Sequence, residues 1–71
     1  MSNSLNALKE QIRLALEQCE PENTPYVCRI ISTTAGFDNV LNKVVELVIA
    51  GDSVMDAIVG IDDMYDPNHI D

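Results

Sequence analysis

Apolar residues recur along this chain at three- and four-residue intervals, the pattern of helices that each bury one face. The first stripe runs through Leu5, Leu8, Ile12, Ala15, Leu16 and Cys19. It predicts a helix over about 4–20, with Ser2 or Ser4 as its cap. Leu14 falls off the stripe and is expected at the surface. Pro21 and Pro25 cannot continue a helix, so the run from Glu20 to Pro25 reads as a loop. Thr24 before Pro25 has the form of an N-cap with proline at the first helical position. Tyr26, Val27, Ile30, Ile31 and Thr34 share a helical face, which predicts a second helix over 25–35, ending near Gly36. The β-branched residues of this run also suit a strand. No second segment exists to pair with it, however, and a lone strand would leave its backbone unsatisfied.

A third helix is predicted over 38–50, opened by Phe37 or Asp38 and stopped by Gly51. Its apolar residues, from Phe37 through Val40, Leu41, Val44, Val45, Leu47, Val48 and Ile49, spread over about half its circumference at about 3.6 residues per turn. One neighbour cannot cover so broad a face. The helix is therefore expected either at the centre of the fold or with half its face in a dimer interface. Asp52 or Ser53 caps a fourth helix over 53–65, whose buried face is expected to hold Val54, Ala57, Ile58, Ile61, Met64 and Tyr65. Asp52, Asp56, Asp63 and Asp66 line its other side, with Met55 and Val59 among them, one turn apart. Pro67 ends this helix, and 67–71 reads as a flexible tail. The expected architecture is all-α, a four-helix mini-bundle in a single domain over 1–66.

Composition sharpens this picture. A chain of 71 residues allows one domain with a marginal core, and a hydrophobic content of 46% is well above that of a disordered tail. Aromatics make up 4%, so the core must be aliphatic. The N-terminus lacks a basic region followed by an apolar run, and the longest apolar stretch, Val44 to Ala50, is broken by Glu46 and too short for a bilayer. Neither a secretory signal nor a membrane span is expected, and the cytoplasm is the expected location.

The net charge of −8 is concentrated in the second half. Beyond Lys43 there is no basic residue, while Glu46, Asp52, Asp56, Asp62, Asp63, Asp66 and Asp71 all follow. Such a surface repels nucleic-acid phosphates and anionic membranes, and it attracts basic proteins or divalent cations. Direct contact with nucleic acid or membrane is not expected. Acids of this kind also serve simply to keep a small apolar domain in solution.

Four residue groups could carry chemistry. Gly51-Asp52-Ser53-Val54 resembles the Asp-Ser-Leu site of acyl and peptidyl carrier proteins, themselves small acidic four-helix domains. The resemblance implies a phosphopantetheine arm on Ser53. Those domains place further helices after the serine, whereas here one helix and a tail follow, and Ser53 equally serves as a helix cap. The run from Val44 to Ile61 resembles the opening of a transposase-type helix-turn-helix, through Leu47, Gly51, Ser53, Ala57 and Gly60. A basic recognition helix should come next, but Asp62-Asp63-Met64-Tyr65-Asp66-Pro67 stands in its place. Cys19 and Cys28 flank the proline loop at helix ends that could approach each other. They lack the Cys-x-x-Cys spacing, and a cytoplasmic pair of this kind is expected to stay reduced. Asp62, Asp63, Asp66, His69 and Asp71 form the densest cluster of possible metal ligands, without the glycine or order of an EF-hand loop.

Catalysis has little to rest on. The sole histidine, His69, sits in the tail, and Ser32, Thr33 and Thr34 have no evident base. No enzymatic activity, cofactor or resident metal is expected. The expected function is a protein–protein interaction module, a small acidic regulator or inhibitor of a basic partner, which could itself be a nucleic-acid-binding protein. Asp52, Asp56, Asp63, Met55 and Val59 are the expected contact residues, and a homodimer is an additional expectation. A carrier domain built on Ser53, a divalent-cation binder and a structural subunit are the alternatives.

Overall fold

Local capping chemistry sets several of the helix boundaries. The computed structural model describes residues 2–68, with helices α1 (Ser2–Glu17), α2 (Pro25–Ile30), α3 (Thr34–Ile49) and α4 (Val54–Tyr65). No strand occurs among the described residues, so the run after Pro25 is helix, and the four-helix, all-α reading holds.

The boundaries correct several expectations. α1 already begins at Ser2, which places Ser4 inside the helix. It stops at Glu17, where Cys19 N–H turns back to the Leu16 carbonyl at 3.2 Å, a tighter closure than the α-helical bond. Pro21 accounts for this, because it disfavours helical backbone at Glu20. α2 ends at Ile30, short of position 35, and α3 starts at Thr34, ahead of the expected 38. The cause is Thr33, whose hydroxyl accepts the Gly36 N–H at 3.0 Å and caps α3. Gly36 therefore lies in the first turn of α3 and does not end α2.

The α3–α4 junction follows expectation. Gly51 has a φ of 123°, in the region that favours glycine. Its N–H reaches the Val48 carbonyl at 3.1 Å, and Asp52 N–H reaches Leu47 at 3.0 Å, the paired bonds of a Schellman stop. Ser53 then caps α4, its hydroxyl accepting Asp56 N–H at 3.2 Å. Past α4, Asn68 N–H donates to Asp66 Oδ1 at 2.8 Å. His69, Ile70 and Asp71 of the expected tail lie outside the described residues.

One aliphatic core joins the helices: Ile12 and Leu16 from α1, Val27 from α2, Val40, Val44 and Val45 from α3, and Ala57, Ile58 and Ile61 from α4. Each large side chain withdrawn from water contributes about 1.5–3 kcal/mol before ordering costs. α3 touches all three other helices, as α4 does, so its broad face is shared among several neighbours. Phe37, Leu41, Leu47 and Val48 are half-buried, and Ile49 is the exposed end of that face.

Three sequence expectations about burial change. Leu5, on the α1 stripe, is exposed, as Leu14 was expected to be. Met64 and Tyr65 are exposed as well, although they were expected in the core. Asp62, read as part of a solvated acidic end, is buried instead. It lies four residues after Ile58 and next to Ile61, on the core face of α4. Its Oδ1 accepts the N–H groups of Tyr26 at 2.8 Å and Val27 at 2.9 Å. These are free donors of the first turn of α2. Thr24, the expected cap, makes no side-chain cap bond, so the capping acid comes from another helix.

Candidate partner-binding groove

Met55 and Val59, like Met64 and Tyr65 nearer its end, are large apolar residues that α4 leaves outside the core, the first two at 66% and 45% exposure. Met55 and Val59 stand beside a groove of about 460 Å³ between α4 and the end of α1 with its following loop. The buried Ile58 lies at its base; Ala15, Cys19 and Thr24 face α4 across it. Gln18, Glu20 and Asn23 supply its polar side. A partner's apolar side chain could enter between these walls while its backbone met the amides of Gln18 and Asn23.

The loop wall is held by its own hydrogen bonds. The Glu20 carbonyl accepts the N–H groups of Asn23 and Thr24, each at 3.0 Å, and the Thr24 hydroxyl at 3.4 Å. Thr24 is buried by this turn. Periodicity along the chain pointed to Met55 and Val59, but not to the residues opposite them. Those residues reach α4 only because the proline loop folds back.

Asp52, Asp56 and Asp63 are all exposed. At about 3.6 residues per turn Asp56 and Asp63 follow Met55 and Val59 around the outer side of α4, while Asp52 precedes the Ser53 cap. Four of the five expected contact residues thus share one side of α4, with apolar side chains on the groove and acids beyond it. No base lies between Asp52 and Asn68 to neutralise them. Asp56 also occupies the first turn of α4, where the helix dipole favours an acid.

The remaining candidates are placed as follows. Ser53 is exposed and its hydroxyl serves the cap. Of the possible cation ligands, Asp62 turns inward to α2, Asp63 is exposed, and His69 and Asp71 lie outside the described residues. Among the described residues no three histidine, cysteine or acidic side chains converge on a point. Cys19 and Cys28 do meet, with sulfurs 2.6 Å apart. Partial burial, with Cys28 as neighbour, pushes the Cys19 thiol up to about 11.

A second depression, about 390 Å³, lies between α1 and the α2–α3 turn, lined by Ser32, Thr33, Thr34 and Phe37. It is open and more polar. Its charged wall is Arg13, which pairs with Glu10 and, at 3.0 Å, with Glu17. The pair holds the Glu10 carboxyl below its ordinary value and raises the Arg13 guanidinium. Exposed pairs of this kind contribute little to stability.

The fold and groove together define a small acidic all-α domain with one concave apolar face. No protein-family model matches the chain, nor does any curated protein or solved structure. Among the described residues no helix is long and apolar enough to cross a membrane.

Proposed function

We propose that this chain is a non-enzymatic protein–protein interaction module, a small acidic regulator or inhibitor acting in the cytoplasm. Its groove takes an amphipathic, basic segment of a partner protein. The observation that supports this reading is the exposure of Met55 and Val59 beside an apolar groove, with Asp52, Asp56 and Asp63 next to them. Interfaces commonly join a desolvated apolar centre to a charged rim that steers the partner in. The acids, spaced about one and two helical turns apart along the start and outer side of α4, also suit a partner whose basic surface ordinarily meets nucleic-acid phosphates, with this domain taking their place.

The test compares three forms of the full chain as bait in native lysate. They are the wild type, the double variant M55S/V59S, and the triple variant D52N/D56N/D63N. A basic protein retained by the wild type, lost with the double variant and weakened by salt and by the triple variant supports the reading. Equal capture by all three refutes it, as does a partner whose binding is indifferent to salt.

A further inference from the structure

The turn that builds the groove's loop wall also brings two cysteines together. With the Glu20 carbonyl holding Asn23 and Thr24, the chain reverses and α2 starts beside the end of α1. Cys28 N–H then bonds the Thr24 carbonyl at 3.1 Å, which sets Cys28 one helical turn above Thr24. Its sulfur lies 3.8 Å from the Thr24 hydroxyl and 2.6 Å from the Cys19 sulfur. That separation is shorter than non-bonded sulfur atoms keep when cysteines merely fill space. Both thiols are free and only half-buried, so a small reagent can reach them.

We propose that Cys19 and Cys28 are a reversible disulfide site, oxidised by exchange with a low-molecular-weight disulfide of the glutathione class. The inference rests on the cysteine geometry and is independent of the groove's function. In the first step the Cys28 thiol gives up its proton, and its sulfur attacks one sulfur of the reagent. The reagent's S–S bond breaks, one reagent thiolate leaves and takes up a proton, and a mixed disulfide remains on Cys28. Cys19 then loses its proton and attacks the Cys28 sulfur. The protein S–S bond forms and the second reagent thiol departs. Two protein thiols and one reagent disulfide thus become one protein disulfide and two reagent thiols, with two electrons passing to the reagent.

The Cys19 sulfur stands next to the mixed disulfide once that has formed, the placement the second exchange needs. The resulting bridge ties the end of α1 to α2 across the proline loop.

The test uses the reduced full-length chain in buffers of oxidised and reduced glutathione, read by intact mass and denaturing thiol titration. The expected product is lighter by two hydrogens, has no titratable thiol, and returns to the starting mass with dithiothreitol. C19S and C28S prevent it. Any chain with this spacing can close a loop, so the same equilibrium is measured in denaturant. The native fold should favour the intramolecular disulfide at least about tenfold over the unfolded chain. A wild-type protein that accumulates a stable glutathione adduct or a covalent dimer, or keeps both thiols, overturns the proposal. An equilibrium equal in native and denaturing buffer overturns it as well.

Discussion

Removing the Asp62 carboxylate should cost this domain a large part of its stability. The side chain is 8% exposed and satisfies two backbone donors at the start of α2, that of Val27 fully buried and that of Tyr26 partly so. In Asp62→Ala no side chain replaces the acceptor. A buried donor stripped of its partner costs about 1–3 kcal/mol, more where the bond was charge-assisted. With one donor still near water, the expected loss is about 2–4 kcal/mol. A domain of this size has a total stability near the lower end of about 5–15 kcal/mol. Each kcal/mol shifts the midpoint of a domain this small by about 4–8 °C, so Asp62→Ala should melt roughly 10–30 °C lower.

Asp62→Asn separates hydrogen bonding from charge. The amide oxygen still accepts, so only the charge-assisted share is lost, and the cost should be about 1–2 kcal/mol. Circular dichroism during heating and urea unfolding gives both values. Amide exchange gives the location: protection at Tyr26 and Val27 should fall more in the alanine variant than protection at Val44 in α3. An alanine variant within about 0.5 kcal/mol of wild type would refute the reasoning, because that is the ordinary scatter of surface substitutions.

Two glycines in helices should respond with opposite sign. A Cβ on Gly36 would run into the Ile30 carbonyl oxygen, while one on Gly60 would meet nothing. Gly36→Ala should therefore destabilise by about 1–3 kcal/mol, whereas Gly60→Ala should stabilise by about 0.5–1 kcal/mol, both read from urea midpoints. Stability of the reduced protein should also depend on alkaline pH through Cys19. Its thiol has an ordinary value of 9.0 and is raised to about 11 on folding. Below pH 9.0 the thiol is protonated in folded and unfolded chains alike, and its contribution is fully present. Between there and pH 11 the unfolded chain releases a proton that the folded one keeps, so stability falls with pH and levels off above. Urea unfolding of reduced wild type and Cys19→Ser should show a difference that is flat below this window and narrows across it.

The parts of this fold that are legible in the sequence are those decided within a few neighbouring residues. Gly51 and Ser53 mark the end of one helix and the start of the next because each acts on backbone groups three to five positions away. The α2–α3 boundary fails on the same ground, since two local signals compete. Gly36 reads as a stop and Asp38 as a cap, but Thr33 reaches the Gly36 N–H first, and the helix passes through both. Asp62 reads as solvated because its partners lie 35 and 36 positions away, and no local window contains them. Its register was the available signal: an acid four residues after Ile58, on a face that is otherwise aliphatic. Met55 and Val59 stand out by periodicity, but the opposite wall of their groove depends on how the proline loop closes.

That loop and α2 are the joint of the molecule. A helix of six residues does not hold its shape alone. α2 has no acid in its first turn and no side-chain bond from its own cap residue. Its support comes from elsewhere: Val27 in the core, the Asp62 carboxylate from α4, and the neighbouring Cys19 at the end of α1. The same stretch sets the groove, because Thr24 and Asn23 line one wall immediately before α2 and Met55 and Val59 stand on the helix that carries Asp62. Loosening Asp62 or bridging the cysteines therefore acts on the two walls through one short segment. Substitutions at Asp62 should disturb the groove even though the residue does not line it. Substitutions at Leu5, exposed on α1 well before Ala15, the first residue of the groove, should leave it unchanged.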